Sequence, residues 1–244
     1  MNENYSFEKL SETIQVCVSK EHRFGTDAFL LSVFANPRKK DIVCDLGTGC
    51  GIIPMILTKK FEPKKIYGVD IQPQAIEQFH LSIENSSLPN EVEPILCDLT
   101  KLNTQIPYGS CDVVTCNPPY KANQAGILSE LTAEQIARHE VMCTIDDICK
   151  TASKLLKFGG KLCLCQRPER LADVITAMKQ NDIEPKLLRF IAKEHTQAPW
   201  LFLIEGKKGS KPFMKVMPTM QMYDGEEFSK ELKQVYGNDY SNGD

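Results

Sequence analysis

An open, mostly parallel α/β sheet with helices packed on both of its faces is the fold this sequence predicts, and three observations predict it. Short apolar, β-branched runs alternate with helical stretches from about residue 41 to residue 205. Glycines cluster where the first strand meets the first helix, and single aspartates close the first three strands. Repeated strand-helix-strand units of this kind give parallel strands buried on both sides. In such sheets, ligands sit at the carboxyl ends of the strands, where the strand order reverses.

The elements follow in order. Asp41–Leu46 is a short apolar strand, and Ile52–Lys60 is a helix behind the glycine-rich turn. Ile66–Asp70 is a strand, and Pro73–Ser86 is an amphipathic helix with proline in its first turn, where a missing N–H costs nothing. Val92–Cys97 and Asp112–Cys116 read as strands. Ile145–Leu156 is a helix stopped by Gly159-Gly160, and Lys161–Gln166 a further strand. Arg170–Gln180 is a helix, followed by strands near Lys186–Ala192 and Trp200–Glu205. Residues 237–244 form a polar, flexible tail.

At 244 residues, 42% hydrophobic and 25% charged, the chain can bury a full core as one domain. No apolar stretch approaches the roughly 20 residues of a membrane span, and the N-terminus lacks a signal-peptide pattern, so a cytoplasmic protein is expected. The ten cysteines show no Cys-x-x-Cys or Cys/His ligand spacing, and Cys44, Cys97, Cys116, Cys163 and Cys165 fall in apolar runs. Reduced, metal-free thiols are expected.

Two motifs carry chemistry. Asp45-Leu46-Gly47-Thr48-Gly49-Cys50-Gly51 has three alternate glycines, which let the backbone turn sharply and approach a ligand. The dinucleotide fingerprint Gly-x-Gly-x-x-Gly needs its third glycine one residue later. Asp45 beside the turn suits an ammonium better than a pyrophosphate. Asp70 ends the second strand, where a carboxylate can accept from both ribose hydroxyls. Asp98 follows the third strand, where it can accept from an adenine amino group while Ile71 and Leu99 sandwich the ring. Each aspartate taken alone can equally be a helix N-cap or a loop carboxylate. Together they fit S-adenosylmethionine, with Gly47, Thr48, Gly49 and Gly51 cradling its amino-acid end.

The second motif, Asn117-Pro118-Pro119-Tyr120, follows the fourth strand. The Asn117 carboxamide and the Pro118 carbonyl can accept both hydrogens of a planar amino group, and the Tyr120 ring can stack on the plane that carries it. A rigid loop ending a strand is the structural alternative.

With these residues the chain resembles the class I S-adenosylmethionine-dependent methyltransferases that carry Asn-Pro-Pro-Tyr after the fourth strand. Within them it is most similar to the bacterial tRNA adenine-N6 methyltransferases acting beside the anticodon of a valine tRNA. The closer likeness rests on residues 22–31 (His22-Arg23-Phe24-Gly25-Thr26-Asp27 and the apolar run after them), on Ala137-Arg138-His139-Glu140, and on Glu205-Gly206-Lys207-Lys208-Gly209. The resemblance implies a Rossmann-like, mostly parallel seven-stranded sheet with an antiparallel C-terminal strand. It implies that residues 1–40 cover the cofactor, with Arg23 and Thr26 touching it, and that residues 41–236 form the methyltransferase domain. It also implies that Asn117, Pro118 and Tyr120 are catalytic, that Asn117 lies against the cofactor, and that the protein acts on tRNA. A monomer is expected.

Thr26-Asp27 ahead of an apolar run also reads as a helix N-cap. Two other substrates or roles share the motifs: a glutamine side chain of a release factor, and a non-catalytic, cofactor-binding RNA module. The short N-terminal segment favours adenine over glutamine. Net charge is −3, so an RNA surface must be local. Residues 186–215 together with Arg38-Lys39-Lys40 are the candidate tRNA-backbone surface.

Overall fold

A computed structural model describes residues 5–20, 24–102, 105–118 and 143–237. Two short strands come first, β1 (Ser6–Lys9) and β2 (Gln15–Val18), then helix α1 (Thr26–Ala35). Strand and helix then alternate: β3 (Ile42–Leu46), α2 (Ile52–Phe61), β4 (Lys65–Asp70), α3 (Pro73–Glu84), β5 (Glu91–Leu96) and β6 (Cys111–Cys116). After residue 143 come α4 (Ile145–Leu155), β7 (Leu156–Gln166), α5 (Leu171–Gln180), β8 (Ile183–Ala192) and β9 (Leu201–Lys208). Four two-residue strands, β10 (Lys215–Val216), β11 (Met220–Gln221), β12 (Tyr223–Asp224) and β13 (Glu227–Phe228), precede the last helix, α6 (Lys230–Tyr236).

One sheet of nine described strands runs β10-β8-β9-β7-β6-β3-β4-β5, with β11 also on β8. The seven long strands are those the sequence predicts; β10 and β11 extend the β8 edge beyond that prediction. β9 is antiparallel to both neighbours, β7 and β8, and every other pair in the sheet is parallel. β3 lies between β4 and β6, so the chain moves outward to β5 and returns to the other side of β3. That reversal opens the crevice at the carboxyl ends of β3, β4 and β6.

The strands are buried on both faces, and the side chains alternate between two cores. Val43, Val113, Cys163, Leu201 and Leu203 meet α1, α2 and α6 on one face. Cys44, Leu46, Val114, Leu164 and Phe202 meet α4 and α5 on the other. The β1-β2 hairpin packs on α3: the Cys17 N–H donates to Ser82 Oγ at 2.9 Å and Gln78 Nε2 donates to the Cys17 carbonyl at 3.2 Å. α4 starts on a full capping box, with Thr144 and Asp147 satisfying each other's backbone N–H. It ends at Leu155, and Leu156 is already extended, so the strand begins four residues before Gly160 rather than after it. β7 advances from Leu156 to Lys161 while β6 advances only from Cys111 to Val113, and a bulge absorbs the difference.

None of the described helices is long and apolar enough to cross a membrane. The buried cysteines pack as small hydrophobes, and burial pushes the Cys163 thiol up to about 12, out of reach of thiolate chemistry at neutral pH.

Candidate active site at the carboxyl ends of the strands

The glycine turn is built against α3. All three glycines have positive φ, Gly47 at 71°, Gly49 at 55° and Gly51 at 83°. The Gly47 and Thr48 N–H groups both donate to the Val69 carbonyl at 2.9 Å. Gly51 faces the core, where an added Cβ would stand 2.0 Å from the Phe79 ring. Gly47 and Gly49 face open space, with nothing within 4 Å of the place a Cβ would take. The turn therefore has one glycine fixed by packing and two that leave backbone bare toward the crevice.

Asp45 sits at the base of this turn, fully buried. The Thr115 hydroxyl donates to its Oδ1 at 2.6 Å, while Asp45 Oδ2 and the nearby Thr48 Oγ1 are buried with no hydrogen-bond partner. Burial pushes the Asp45 carboxyl from 3.8 up to about 7, against the pull of the Thr115 hydroxyl. Two orphaned buried oxygens and a bare glycine backbone fit a ligand that brings an ammonium group and hydrogen-bond donors.

The same burial has a measurable consequence for stability. The folded chain keeps a proton on Asp45 that the unfolded chain releases above pH 3.8, so stability falls as pH rises from there to about 7 and is flat beyond. Thermal melts of the ligand-free protein across that range are expected to show the decline, and Asp45→Asn is expected to remove this component of the slope.

Asp70 ends β4 and is 7% exposed. Its Oδ2 accepts from the Gly49 N–H at 2.8 Å and its Oδ1 from the Gln72 N–H at 2.9 Å. The carboxylate thus ties the glycine turn to the next strand end, and each oxygen has a second acceptor direction for a diol. Asp98 follows β5 and accepts from both the backbone N–H (2.9 Å) and the hydroxyl (2.7 Å) of Thr100, capping a short 3₁₀ turn, Leu99–Lys101. That Thr100 hydroxyl holds its carboxyl below the ordinary value. Ile71 is exposed at 38%, and it stands with Leu99 at neighbouring strand ends.

Asn117 and the buried Pro118 follow β6 directly. β6 and β7 are in parallel register through Cys116 and Leu164, which sets Asn117 beside Cys165. The Cys165 thiol donates to Asn117 Oδ1 at 3.0 Å, and Asn117 Nδ2 donates to Asp27 Oδ2 at 3.1 Å. Sequence reasoning missed both neighbours. Thr26 is the first residue of α1 rather than its cap, which is Gly25. The Thr26 hydroxyl shares a 2.7 Å hydrogen bond with Tyr236 of α6, a helix the sequence did not reveal. Arg23, Pro119, Tyr120 and the stretch Ala137–Glu140 lie outside the described residues.

Several of the predicted basic residues stand at the amino end of the sheet, away from the crevice. Lys207 pairs in register with Lys161, and Phe202 with Gln166, so β9 carries Lys207 and Lys208 to the amino end of the sheet. Five residue steps of about 3.3 Å place them roughly 17 Å from the carboxyl rim. Lys208 Nζ donates to the carbonyls of Ser153 (2.5 Å) and Leu156 (3.0 Å), closing the end of α4. Arg38 pairs with Asp41 and Lys39 with Glu62, again at the amino end, ahead of β3. Lys208→Gln is accordingly expected to lower stability by about 1–3 kcal/mol, read from thermal melts.

At the carboxyl rim stand Lys193, from the predicted 186–215 stretch, and Arg167 and Arg170, which lie outside it. Arg167, just past β7, stacks on Trp200 with its guanidinium 5.2 Å from the ring centroid and donates to the Trp200 carbonyl at 3.0 Å. Lys193 and His195 are exposed on the loop that joins β8 to β9. Arg170 pairs with Asp173 at the start of α5.

Comparison with known proteins is consistent with this geometry. Residues 37–211 match a family model described as a methyltransferase domain. The chain is 29% identical over 161 residues to a tRNA1(Val) (adenine(37)-N6)-methyltransferase of Histophilus somni, a match covering 66% of each chain. It is 24% identical over 206 residues to the protein of that name from Parabacteroides distasonis, covering 84% of this chain and 83% of the relative. Among solved structures, a predicted O-methyltransferase from Agrobacterium tumefaciens superposes with a TM-score of 0.69 at 20% identity, over 86% of this chain and 95% of that one.

Proposed function

The chain belongs to the methyltransferase domain family, whose members draw their methyl group from S-adenosylmethionine, and from that premise we propose that it methylates the N6 amino group of an adenine in tRNA, the anticodon-loop adenine of a valine tRNA. The observation that carries this reading is the placement of Asn117 and Pro118 at the carboxyl end of β6, next to the glycine turn and its orphaned acid. The names of the two relatives support the choice of an adenine in tRNA.

In this reading Asp45, Thr48 and the turn from Gly47 to Gly51 hold the amino-acid end of the cofactor. Asp70 takes the ribose hydroxyls, and Asp98, Ile71 and Leu99 take the adenine. Arg23 and Thr26 close over it from the N-terminal segment. When bound there, S-adenosylmethionine supplies an electrophilic methyl group on a sulfonium.

The adenine amino nitrogen is a weak nucleophile because its lone pair is delocalised into the ring. Asn117 Oδ1 and the Pro118 carbonyl accept its two hydrogens and draw the nitrogen toward tetrahedral geometry. Both bonds strengthen as positive charge grows on that nitrogen during attack. Pro118 has a fixed φ and the following Pro119 restricts its ψ, which together hold the Pro118 carbonyl direction. Tyr120 stacks on the base once it has left its neighbours. After methylation the nitrogen loses one proton to water, so no dedicated general base is required.

The phosphate surface in this reading is the carboxyl rim, with Lys193, Arg167 and Arg170, in place of the amino-end lysines. Lys193→Glu combined with Arg170→Glu is expected to weaken tRNA binding and to reduce the slope of log affinity against log salt by roughly one for each phosphate no longer neutralised. An unchanged slope contradicts this surface. The function itself is tested by incubating the protein with labelled S-adenosylmethionine and, separately, total tRNA, ribosomal RNA, DNA and release factors. Label in tRNA is expected; label in protein alone overturns the proposal.

A further inference from the structure

The geometry points to Asp27 as a positioning residue that fixes which end of the Asn117 amide faces the substrate, an inference that rests on the reading of Asn117 as the acceptor for the target amine. An asparagine side chain presents a donor and an acceptor of nearly the same shape, so an unrestrained amide can offer the wrong one to an amino group. Here the carboxylate selects the orientation and the thiol is compatible with it. The Asp27 carboxylate can only accept, and it holds Nδ2 at 3.1 Å. The Cys165 thiol donates to Oδ1 at 3.0 Å. A carbonyl oxygen has two acceptor directions, so donation by the thiol does not by itself exhaust it.

Asp27 is well placed for this. Its other oxygen accepts from the Ala28 N–H at 3.0 Å, in the first turn of α1, which fixes the carboxylate on a rigid element. The fold brings it to Asn117 across 90 residues of sequence, because α1 packs on the face of the sheet toward which Asn117 and Cys165 point. The contact also couples the segment ahead of β3 to the reacting centre. A negative charge beside Asn117 has a second effect: it favours the positive charge that develops on an amine bound to that amide.

The test is a double-mutant cycle with valine tRNA as substrate, reading kcat and the KM for S-adenosylmethionine, with thermal melts to confirm folding. Asp27→Ala is expected to lower kcat about 10–100-fold with the cofactor KM within threefold. In an Asn117→Ala background the same change is expected to cost less than twofold, since the group it positions is gone. Exchange of the pair, Asp27→Asn with Asn117→Asp, restores a donor facing a carboxylate and is expected to recover at least tenfold over Asn117→Asp alone. This exchange keeps the test alive if Asp27→Ala fails to fold. An Asp27→Ala loss that recurs undiminished beside Asn117→Ala, a loss confined to the cofactor KM, or an exchange that recovers nothing overturns the inference. Full activity of Asn117→Ala alone overturns the amine-acceptor reading itself, a result distinct from any of those.

Discussion

Replacing Asn117 by aspartate is expected to cut turnover at least about a hundredfold, the scale on which single preorganised hydrogen-bonding groups act in catalysis. The substitution is nearly isosteric, and an aspartate can also accept from an amine. Its neighbour decides the outcome. Asp27 Oδ2 lies 3.1 Å from the atom that would become a carboxylate oxygen. Two carboxylates at that distance cannot both ionise without strong repulsion, so either one retains a proton or the side chain turns away. In both cases the acceptor aimed at the amine is lost or displaced. Cofactor affinity is expected to stay within threefold, because the glycine turn, Asp45 and Asp70 are untouched. Near-native turnover with intact cofactor binding would contradict the mechanism.

The second large effect is on the fold. Gly51→Ala is expected to destabilise the protein by about 3–5 kcal/mol, lowering the melting temperature by several degrees or more. Gly51 has φ of 83°, and its added Cβ would meet the fully buried Phe79 ring at 2.0 Å. Phe79 cannot retreat, because Gly68 on β4 takes the opposite side of the same ring, with a Cβ position only 2.3 Å away. The ring fills a slot made by two missing side chains, and it is this slot that presses the turn onto α3. Gly47→Ala carries the same kind of backbone strain without a clash, so about 1 kcal/mol of stability is expected to go and the main cost should fall on cofactor affinity. Equal melting temperatures for the two variants would show that packing at Phe79 does not set the turn.

The central βαβ region was legible because its signals are local. β3, α2, β4, α3, β5 and β6 end within about two residues of their predicted bounds, since apolar runs, Pro73 and the glycine turn each mark a boundary in the sequence itself. The β1-β2 hairpin was not legible. Its strands are four residues each, and Ser6-Phe7-Glu8-Lys9 carries a single large apolar side chain, so its order comes from packing on α3 rather than from its own pattern. The short strands at the β8 edge and the seven-residue α6 were missed for the same reason.

At the site, spacing revealed what lies along the chain and concealed what lies across it. The acids at strand ends and Asn117-Pro118 could be read off because each closes its own strand. The clamp on Asn117 joins residues 90 and 48 positions apart, and nothing in the sequence near Asp27 or Cys165 announces it. The placement of the lysine clusters was hidden for a related reason. A run such as Lys207-Lys208 shows charge without showing which end of the sheet it reaches, and the antiparallel course of β9 sends it to the end away from the crevice.

The most direct measurement is to treat unmodified valine tRNA with the protein and S-adenosylmethionine, cleave the RNA into fragments, and identify the modified nucleoside by mass spectrometry. The proposal predicts N6-methyladenosine in the anticodon-loop fragment, and none when Asn117→Ala replaces the native chain. Unmodified tRNA, with methyl groups appearing instead on a glutamine of a release factor, would contradict it.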